Sequence, residues 1–502
     1  MDEPVQRLTR GASVDRLAST AFDLLVIGGG IIGAATAAHA ARAGLRVALV
    51  DAGDFAGGTS SASSKLIHGG LRYLRLGDVG LVREAHHERR LLTKIVAPHL
   101  VHRMPFLLPL YRGGPYRPSV VQGGIIVYSA LARSRLNWLV DATKARAQVP
   151  SLRTDGLRSC ALYADAWTND ARLCLANVAA AAAAGAVVLN RAEVTSLRLT
   201  GSRVTGAEVR VDGEVVAVEA RAVVNAAGPW IDRIRRLENP AAGTSVRLSK
   251  GAHVLVPGGA DWAAALTIPQ DAVRVTFAVP WYGMLLLGTT ETEHRDDAGP
   301  VDASPDDVGQ IVAEAAKAID PELVRPERVR AAFAGLRVLP AGEEDSASAR
   351  RETVYTVGRG GMLSVAGGKL TTYRRIAIGA LERLRDQLGL RELDASPWPL
   401  PGGTGLESTR LPASLDEEVR SHLLHIYGSR ATQVVGVAAN DATLLERLHP
   451  DGPDIAAQVV FAAREEWAHT VDDVVRRRTT LFYRGLADEN VARRVEELLA
   501  RR

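Results

Sequence analysis

The sequence predicts an α/β fold in three parts: a parallel β-α-β domain near the N-terminus, a second domain built on an antiparallel β-sheet, and a helical C-terminal domain. Three observations predict it. Asp23 to Asp51 reads as a buried strand, a Gly28-Gly29-Gly30-Ile31-Ile32-Gly33 turn, an Ala-rich helix, and a second strand from Leu45 to Val50 that ends on Asp51. Between Val246 and Leu339 the apolar runs have strand length, as in Ala252 to Val256, Val273 to Val279 and Met284 to Gly288. Beyond Thr409, Leu415 to Tyr427 and Ile455 to Thr470 carry apolar residues at helical spacing.

In the first unit, Gly28 and Gly30 let the backbone turn sharply and approach a pyrophosphate, and Gly33 lets the helix pack closely on the sheet. The helix N-terminus offers unpaired N–H groups and a positive dipole end to the same group. Asp51 stands where a carboxylate accepts hydrogen bonds from ribose hydroxyls and repels a 2′-phosphate. The unit therefore reads as a Rossmann-like dinucleotide-binding domain.

Further along, Gly57 to Arg72 reads as a small-residue loop and Leu81 to Val96 as a charged helix. Pro98 to Pro118, broken by prolines and glycines, reads as loop and short strand. Asp170 to Ala184 reads as a helix, followed by three strand-like runs, Val187 to Leu189, Val194 to Leu199 and Val204 to Val211. Val223 to Trp230 resembles a buried strand stopping at a glycine turn, and Leu363 to Ala366 leads through Gly367-Gly368-Lys369 into a helix. Asp394 to Thr409 is the clearest linker, and Thr470-x-x-Asp473 gives a capping-box start to a late helix. Arg476-Arg477-Arg478 reads as a solvated helix face.

The 502 residues are 47% hydrophobic, enough for two or three domains with their own cores. Lys plus Arg number 61 against 57 acids, a net charge of +4, which suits an anionic substrate or lipid and gives no nucleic-acid footprint. The two cysteines, Cys160 and Cys174, have no metal-ligand spacing and read as buried thiols, so no metal site is expected. The first twenty residues are polar and lack the apolar core of a signal peptide. The longest apolar run, Leu24 to Ala38, is too short to span a bilayer, so a soluble or peripheral, cytoplasmic protein is expected.

The fingerprint alone does not separate NAD from FAD. FAD is favoured because the fingerprint opens the fold, because long insertions interrupt the sheet, and because no second G-x-G-x-x-G exists to bind a nicotinamide reductant. The run Thr59-Ser60-Ser61-Ala62-Ser63-Ser64-Lys65-Leu66-Ile67-His68-Gly69-Gly70-Leu71-Arg72-Tyr73-Leu74 then resembles the signature of the FAD-dependent glycerol-3-phosphate dehydrogenases. Further matches are Asp170-Ala171-Arg172-Leu173, Asn225 to Trp230, Lys250-Gly251-Ala252-His253, Gly288-Thr289-Thr290, Gly335-Leu336-Arg337 and Gly367 to Arg374. Glu291 and Asn169 depart from the usual pattern at positions with no chemical assignment.

The resemblance implies a glutathione-reductase/D-amino-acid-oxidase type of FAD domain and oxidation of sn-glycerol 3-phosphate to dihydroxyacetone phosphate. It also implies a membrane quinone as electron acceptor and a peripheral place on the inner face of the cell membrane. It places Arg72, Tyr73, His253, Arg337 and Lys369 around the substrate, with Arg351 a further phosphate ligand unless the adjacent Arg350 takes that place. Phosphate recognition suits the planar arginine fork. His253, Arg337 and Lys369 are the catalytic candidates. His253 is the first choice for general base because histidine titrates near neutrality, the alternative being a histidine satisfied inside a strand. Arg337 suits stabilisation of the alkoxide. Lys369 would favour an anionic reduced flavin or simply bind phosphate.

Expected cofactor contacts are Gly28, Gly30, Gly33 and Asp51, then Thr59, Ser60, Ser61, Ser64, Lys65, Leu66, His68 and Gly69 of the loop. Val194, Ala227, Gly228, Gly368, Lys369, Leu370 and Thr371 complete the set.

The expected domains are a flexible tail (1–20), a core (21–393), a linker (394–409) and a helical domain (410–502). Within the core, the FAD domain takes 21–75, 150–245 and 346–393, and the substrate domain 76–149 and 246–345. A homo-oligomer, in its simplest form a dimer, is the expected assembly. The rival readings are a glycerol-3-phosphate oxidase that reduces O2 to H2O2, a related FAD amine or amino-acid oxidase, and a flavoprotein without turnover.

Overall fold

The computed structural model describes residues 9–70, 78–132, 138–342 and 353–501. Two sheets organise the first three quarters of the chain. In the first, Ala21–Ile27 lies between Val47–Val50 and Glu214–Asn225 and pairs parallel with both. Leu363–Gly367 extends the sheet beyond Glu214–Asn225, and Val187–Leu189 extends it beyond Val47–Val50. A strand buried on both faces needs apolar residues at successive positions. Ala21–Ile27 has them: Leu24 and Val26 enter one core, while Phe22, Leu25 and Ile27 enter another.

The first core is closed by helices Ile31–Arg42, Asp170–Ala183 and Tyr373–Arg383, whose small alanines let the helices lie close. The second core is closed by the hairpin Ala192–Thr200/Arg203–Val211 and by a helix the sequence reading did not anticipate. Residues expected as a flexible tail form the helix Arg10–Ser19, capped by Thr9 and anchored through buried Leu17. The guanidinium of Arg10 also bonds Asp212 and the Asn190 carbonyl.

The second sheet is antiparallel except where Ala265–Pro269 runs parallel to Val101–Tyr111. Two expectations change here. Pro98 to Pro118 is not mainly loop: it holds the long strand Val101–Tyr111, with Pro105 and Pro109 inside it. Its partner Leu157–Thr168 belongs to this sheet too, although residues 150–245 were expected with the first one. Leu66–Ile67 also joins this sheet, carrying the small-residue loop out of the first one.

The C-terminal part packs Glu417–Tyr427, Ala456–Glu465 and Glu489–Leu499 around their own core. Thr470 and Asp473 form the capping box read from the sequence. The 394–409 stretch is irregular but not loose: Leu400 is buried and its N–H donates to the Val96 carbonyl at 2.7 Å. Among the described residues, no helix is long and apolar enough to cross a membrane.

Burial leaves several histidines neutral. Desolvation lowers His39, His86 and His99 to about 3 and His102 to about 4. Below the ordinary value of 6.5 the unfolded chain takes up protons that the folded chain refuses, so stability falls with falling pH. Each such group contributes a slope of about 1.4 kcal/mol per pH unit across that window. Asp51, raised to about 6, and Asp165, also raised by burial, act in the opposite sense but are fewer than the buried histidines. The melting temperature is therefore expected to drop between pH 6.5 and pH 4, and a flat profile by calorimetry would contradict this balance.

Candidate active site

The fingerprint turn has the geometry its glycines predict. Gly28 has φ +106°, and a Cβ there would lie 2.5 Å from the Ala226 carbonyl oxygen. A Cβ on Gly33 would lie 1.9 Å from the Gly28 carbonyl oxygen, so only glycine lets this helix sit on this turn. Gly30 caps the helix, and the Ile31 N–H donates to Ser60 Oγ at 2.9 Å, joining the turn to the small-residue loop. Asp51 accepts from the Gly29 N–H at 2.6 Å and the Gly53 N–H at 2.8 Å. Burial raises its carboxyl to about 6 despite those two bonds.

These residues open on a cavity of about 1610 Å³ lined from both sheets. Its wall includes Gly28, Gly30, Asp51, Thr59, Ser60, Ser61, Ser64, Leu66, His68, Val194, Ala227, Gly228, Gly368, Lys369, Leu370 and Thr371. The same wall carries His253 and Arg337, so the fingerprint turn and these two candidate residues share one space.

Glycines in the second sheet make room for that meeting. Gly251 and Gly335 face each other across Val246–Pro257 and Ala331–Pro340. A Cβ on Gly251 would lie 2.2 Å from the Arg337 guanidinium, and one on Gly335 would lie 2.7 Å from Ala62 Cβ. Arg337 can thus lie across its neighbouring strand, donating to Thr289 Oγ1 at 2.7 Å and the Thr290 carbonyl at 3.2 Å. Thr59 Oγ1 donates to the Leu336 carbonyl at 2.6 Å, seating the loop on the strand. Lys250, assigned no chemistry, braces this corner through Asp307 at 2.7 Å, which also accepts from Thr290 Oγ1 at 3.0 Å.

His253 is buried, its Nε2 2.9 Å from Ser64 Oγ and its ring stacked on Phe333 with centroids 5.1 Å apart. Among the described residues, its Nδ1 has no hydrogen-bond partner. Burial, then Arg337, then Lys65, holds His253 well below its ordinary 6.5, so the imidazole is neutral. Lys369 follows Gly367 and Gly368, both in the left-handed region at φ +77° and +78°. Beyond it, Thr371 Oγ1 accepts from the His68 N–H at 3.1 Å and ties this turn to the small-residue loop.

Three predicted cofactor contacts do not line the cavity. Gly33 acts through packing, as expected. Lys65 turns inward: its Nζ bonds Asp170 at 2.6 Å and the Ser61 carbonyl at 3.0 Å, caged by Trp281, Phe333 and Tyr483. Burial alone would lower Lys65, but Asp170 and Tyr483 hold it charged above its ordinary value. Gly69 instead gives its N–H to Asp165 at 3.0 Å and lies against His86. Arg72, Tyr73 and Arg351 lie outside the described residues.

The reading of Arg476-Arg477-Arg478 as a solvated face is corrected. They lie in a π turn, with Arg477 and Arg478 buried against Asp54 of the cofactor loop. Sequence reasoning also missed Thr470, Asp472 and Arg477 as cavity wall. The signal available was three arginines within one turn, too many for a single exposed stripe.

A Rossmann turn, a carboxylate just past the end of the second strand and a cavity reaching a second sheet fit a flavin dinucleotide, and together they define a FAD-dependent oxidoreductase. Residues 23–374 match the family described as FAD dependent oxidoreductase, and residues 393–502 the C-terminal domain of alpha-glycerophosphate oxidase. Glycerol-3-phosphate dehydrogenase 2 of Mycobacterium tuberculosis is 35% identical over 98% of this chain and 86% of that protein. The aerobic glycerol-3-phosphate dehydrogenase of Staphylococcus epidermidis is 30% identical over 94% of this chain and 89% of its own. The glycerol-3-phosphate dehydrogenase of Bacillus halodurans, solved with FAD, superposes with TM-score 0.75 at 27% identity, covering 98% of this chain and 96% of that one. The chain belongs to the FAD-dependent glycerol-3-phosphate dehydrogenase family.

Proposed function

We propose that this chain binds FAD and oxidises sn-glycerol 3-phosphate to dihydroxyacetone phosphate. The observation that carries the reading is the convergence of His253, Arg337 and Lys369 on the cavity that the fingerprint opens. When bound, FAD supplies the two-electron acceptor for the hydride leaving C2.

The protein's residues supply the rest. His253 is neutral and takes the C2 hydroxyl proton at Nε2, the atom now paired with Ser64 Oγ. Arg337, fixed by Thr289 and Thr290, faces the oxygen on which negative charge grows. Lys369, with Arg72, Tyr73 and Arg351, takes the phosphate, and its charge also favours electron density on the reduced cofactor. The loop from Thr59 to His68 and the Gly368–Thr371 turn line the cofactor. Lys65 and Gly69 support that loop from behind.

We infer a membrane quinone as acceptor, reached by peripheral contact with the inner face of the membrane. The helix Pro118–Ala132 supports this: Val120, Ile126 and Val127 are 69%, 52% and 47% exposed, while Val120, Gly124 and Ile125 line the cavity. An apolar helix face beside the cavity suits an interfacial helix. Replacing Ile126 and Val127 together by serine is expected to weaken binding to anionic vesicles and slow reduction of a long-chain quinone. Reduction of a soluble dye should be unchanged, and equal vesicle binding would contradict the assignment. A homodimer is the expected assembly, checked by sedimentation.

The C-terminal match to alpha-glycerophosphate oxidase favours a second reading, in which O2 is the acceptor. Aerobic turnover with a short-chain quinone separates the two. Quinone reduction with little peroxide supports the dehydrogenase, whereas stoichiometric peroxide with no quinone reduction supports the oxidase.

A further inference from the structure

We propose that the C-terminal helical domain is part of the cofactor site, its Arg477–Arg478 pair holding Asp54 so that the 51–58 loop keeps the shape that accepts the adenosine diphosphate half of FAD. The proposal rests on the FAD reading above and goes beyond it, because that reading uses no residue after Thr371.

The loop is fixed on three sides. Toward the fingerprint, the Ala56 N–H donates to the Gly29 carbonyl at 3.1 Å, and a Cβ on Gly29 would lie 2.3 Å from the Phe55 ring. Toward the sheet, the Ala192 N–H donates to the Asp51 carbonyl at 2.7 Å and the Arg191 N–H to the Gly53 carbonyl at 2.8 Å. Toward the C-terminal domain, Asp54 accepts from Arg477 Nε at 2.6 Å and Arg478 Nη2 at 2.8 Å, with a further bond from Arg478 Nη1. Asn190 Nδ2 bridges the same partners, donating to Asp54 at 3.0 Å and to the Trp467 carbonyl at 2.7 Å. Phe55 meets the Trp467 ring edge-on at 5.5 Å.

The clamp is itself oriented. Arg477 also bonds Asp473 at 2.9 Å and Asp472 at 3.1 Å, Arg478 donates to the Glu466 carbonyl at 2.6 Å, and Asp473 accepts from Arg191 at 2.8 Å. Thr470, Asp472, Asp473 and Arg477 line the cavity together with Asp51, Gly53 and Arg191. The wall beside the ribose carboxylate is therefore shared between the two ends of the chain. A buried carboxylate with a two-arginine clamp constrains geometry strongly, because loss of either side leaves charge unpaired. Arg478 is a positioning residue; Asp54 and Arg477 both position and line.

The test uses full-length protein stripped of flavin, with FAD rebinding followed by fluorescence and ADP titrated as competitor. In Asp54→Asn, Kd for FAD is expected to rise roughly 10- to 100-fold, by analogy with residues that orient a metal ligand. Kd for ADP should rise by the same factor, since ADP carries only the half that the loop holds. Trp467→Leu, which changes no charge, should shift both constants in the same direction by less. Apoprotein melting is recorded for every variant, and if Asp54→Asn does not fold, Trp467→Leu decides by the same two constants. Constants within about twofold of wild type in a folded variant overturn the proposal, as does weaker FAD binding with unchanged ADP binding. These constants do not depend on turnover. A wild-type holoprotein that ignores sn-glycerol 3-phosphate would count against the proposed reaction and leave this test standing.

Discussion

Arg337→Ala is expected to lower kcat about 10²- to 10³-fold, the range for losing one donor aimed at a developing oxyanion. Arg337 occupies space that Gly251 leaves open, and Thr289 and the Thr290 carbonyl hold two of its donors in place. Its fork is thus set before substrate arrives. Arg337→Lys should recover little, because an ammonium on a flexible stem reproduces neither the plane nor the paired donors. Steady-state kinetics on FAD-replete protein checks this, with visible absorbance confirming equal flavin content. A lysine variant with wild-type kcat would remove Arg337 from the chemistry.

His253→Asn should cost roughly 10²- to 10⁴-fold in kcat, the usual contribution of a positioned base. The pH dependence gives the sharper reading. In the free enzyme His253 is held well below 6.5 by burial, Arg337 and Lys65, so its lone pair stays available through neutral and mildly acidic pH. Binding a phosphate dianion nearby favours imidazolium and moves that value upward. The acid limb of kcat should therefore lie at higher pH than the contribution of His253 to kcat/KM. A limb in kcat/KM near pH ~6 belongs to the second ionisation of the substrate phosphate. In His253→Asn the kcat limb should vanish while the phosphate limb remains. Persistence of the kcat limb would assign the base elsewhere.

What the sequence made legible was local or written in glycine. The Gly28 to Asp51 unit is one continuous segment, and its constraints are backbone constraints that glycine positions record directly. Gly251, Gly335 and Gly368 entered as parts of family motifs, and the structure supplies their reasons: room for Arg337, for Ala62 and for Ile376. The errors involve residues whose role is set by distant partners. Lys65 sits among neighbours that line the cavity, yet Asp170 and Tyr483 draw it inward, and neither is local to it. Arg477 and Arg478 look solvated until Asp54 comes to meet them from the opposite end of the chain. Leu157–Thr168 pairs with Val101–Tyr111 in the second sheet, a partnership that Pro105 and Pro109 in that partner strand hid from the sequence.

The most direct test of the account is anaerobic addition of sn-glycerol 3-phosphate to the purified holoprotein, followed by visible spectroscopy and product assay. The account predicts bleaching of the yellow flavin with one equivalent of dihydroxyacetone phosphate formed per flavin, and no bleaching by glycerol at the same concentration. A flavin that stays oxidised with sn-glycerol 3-phosphate, or a protein that binds no flavin after reconstitution, would contradict it.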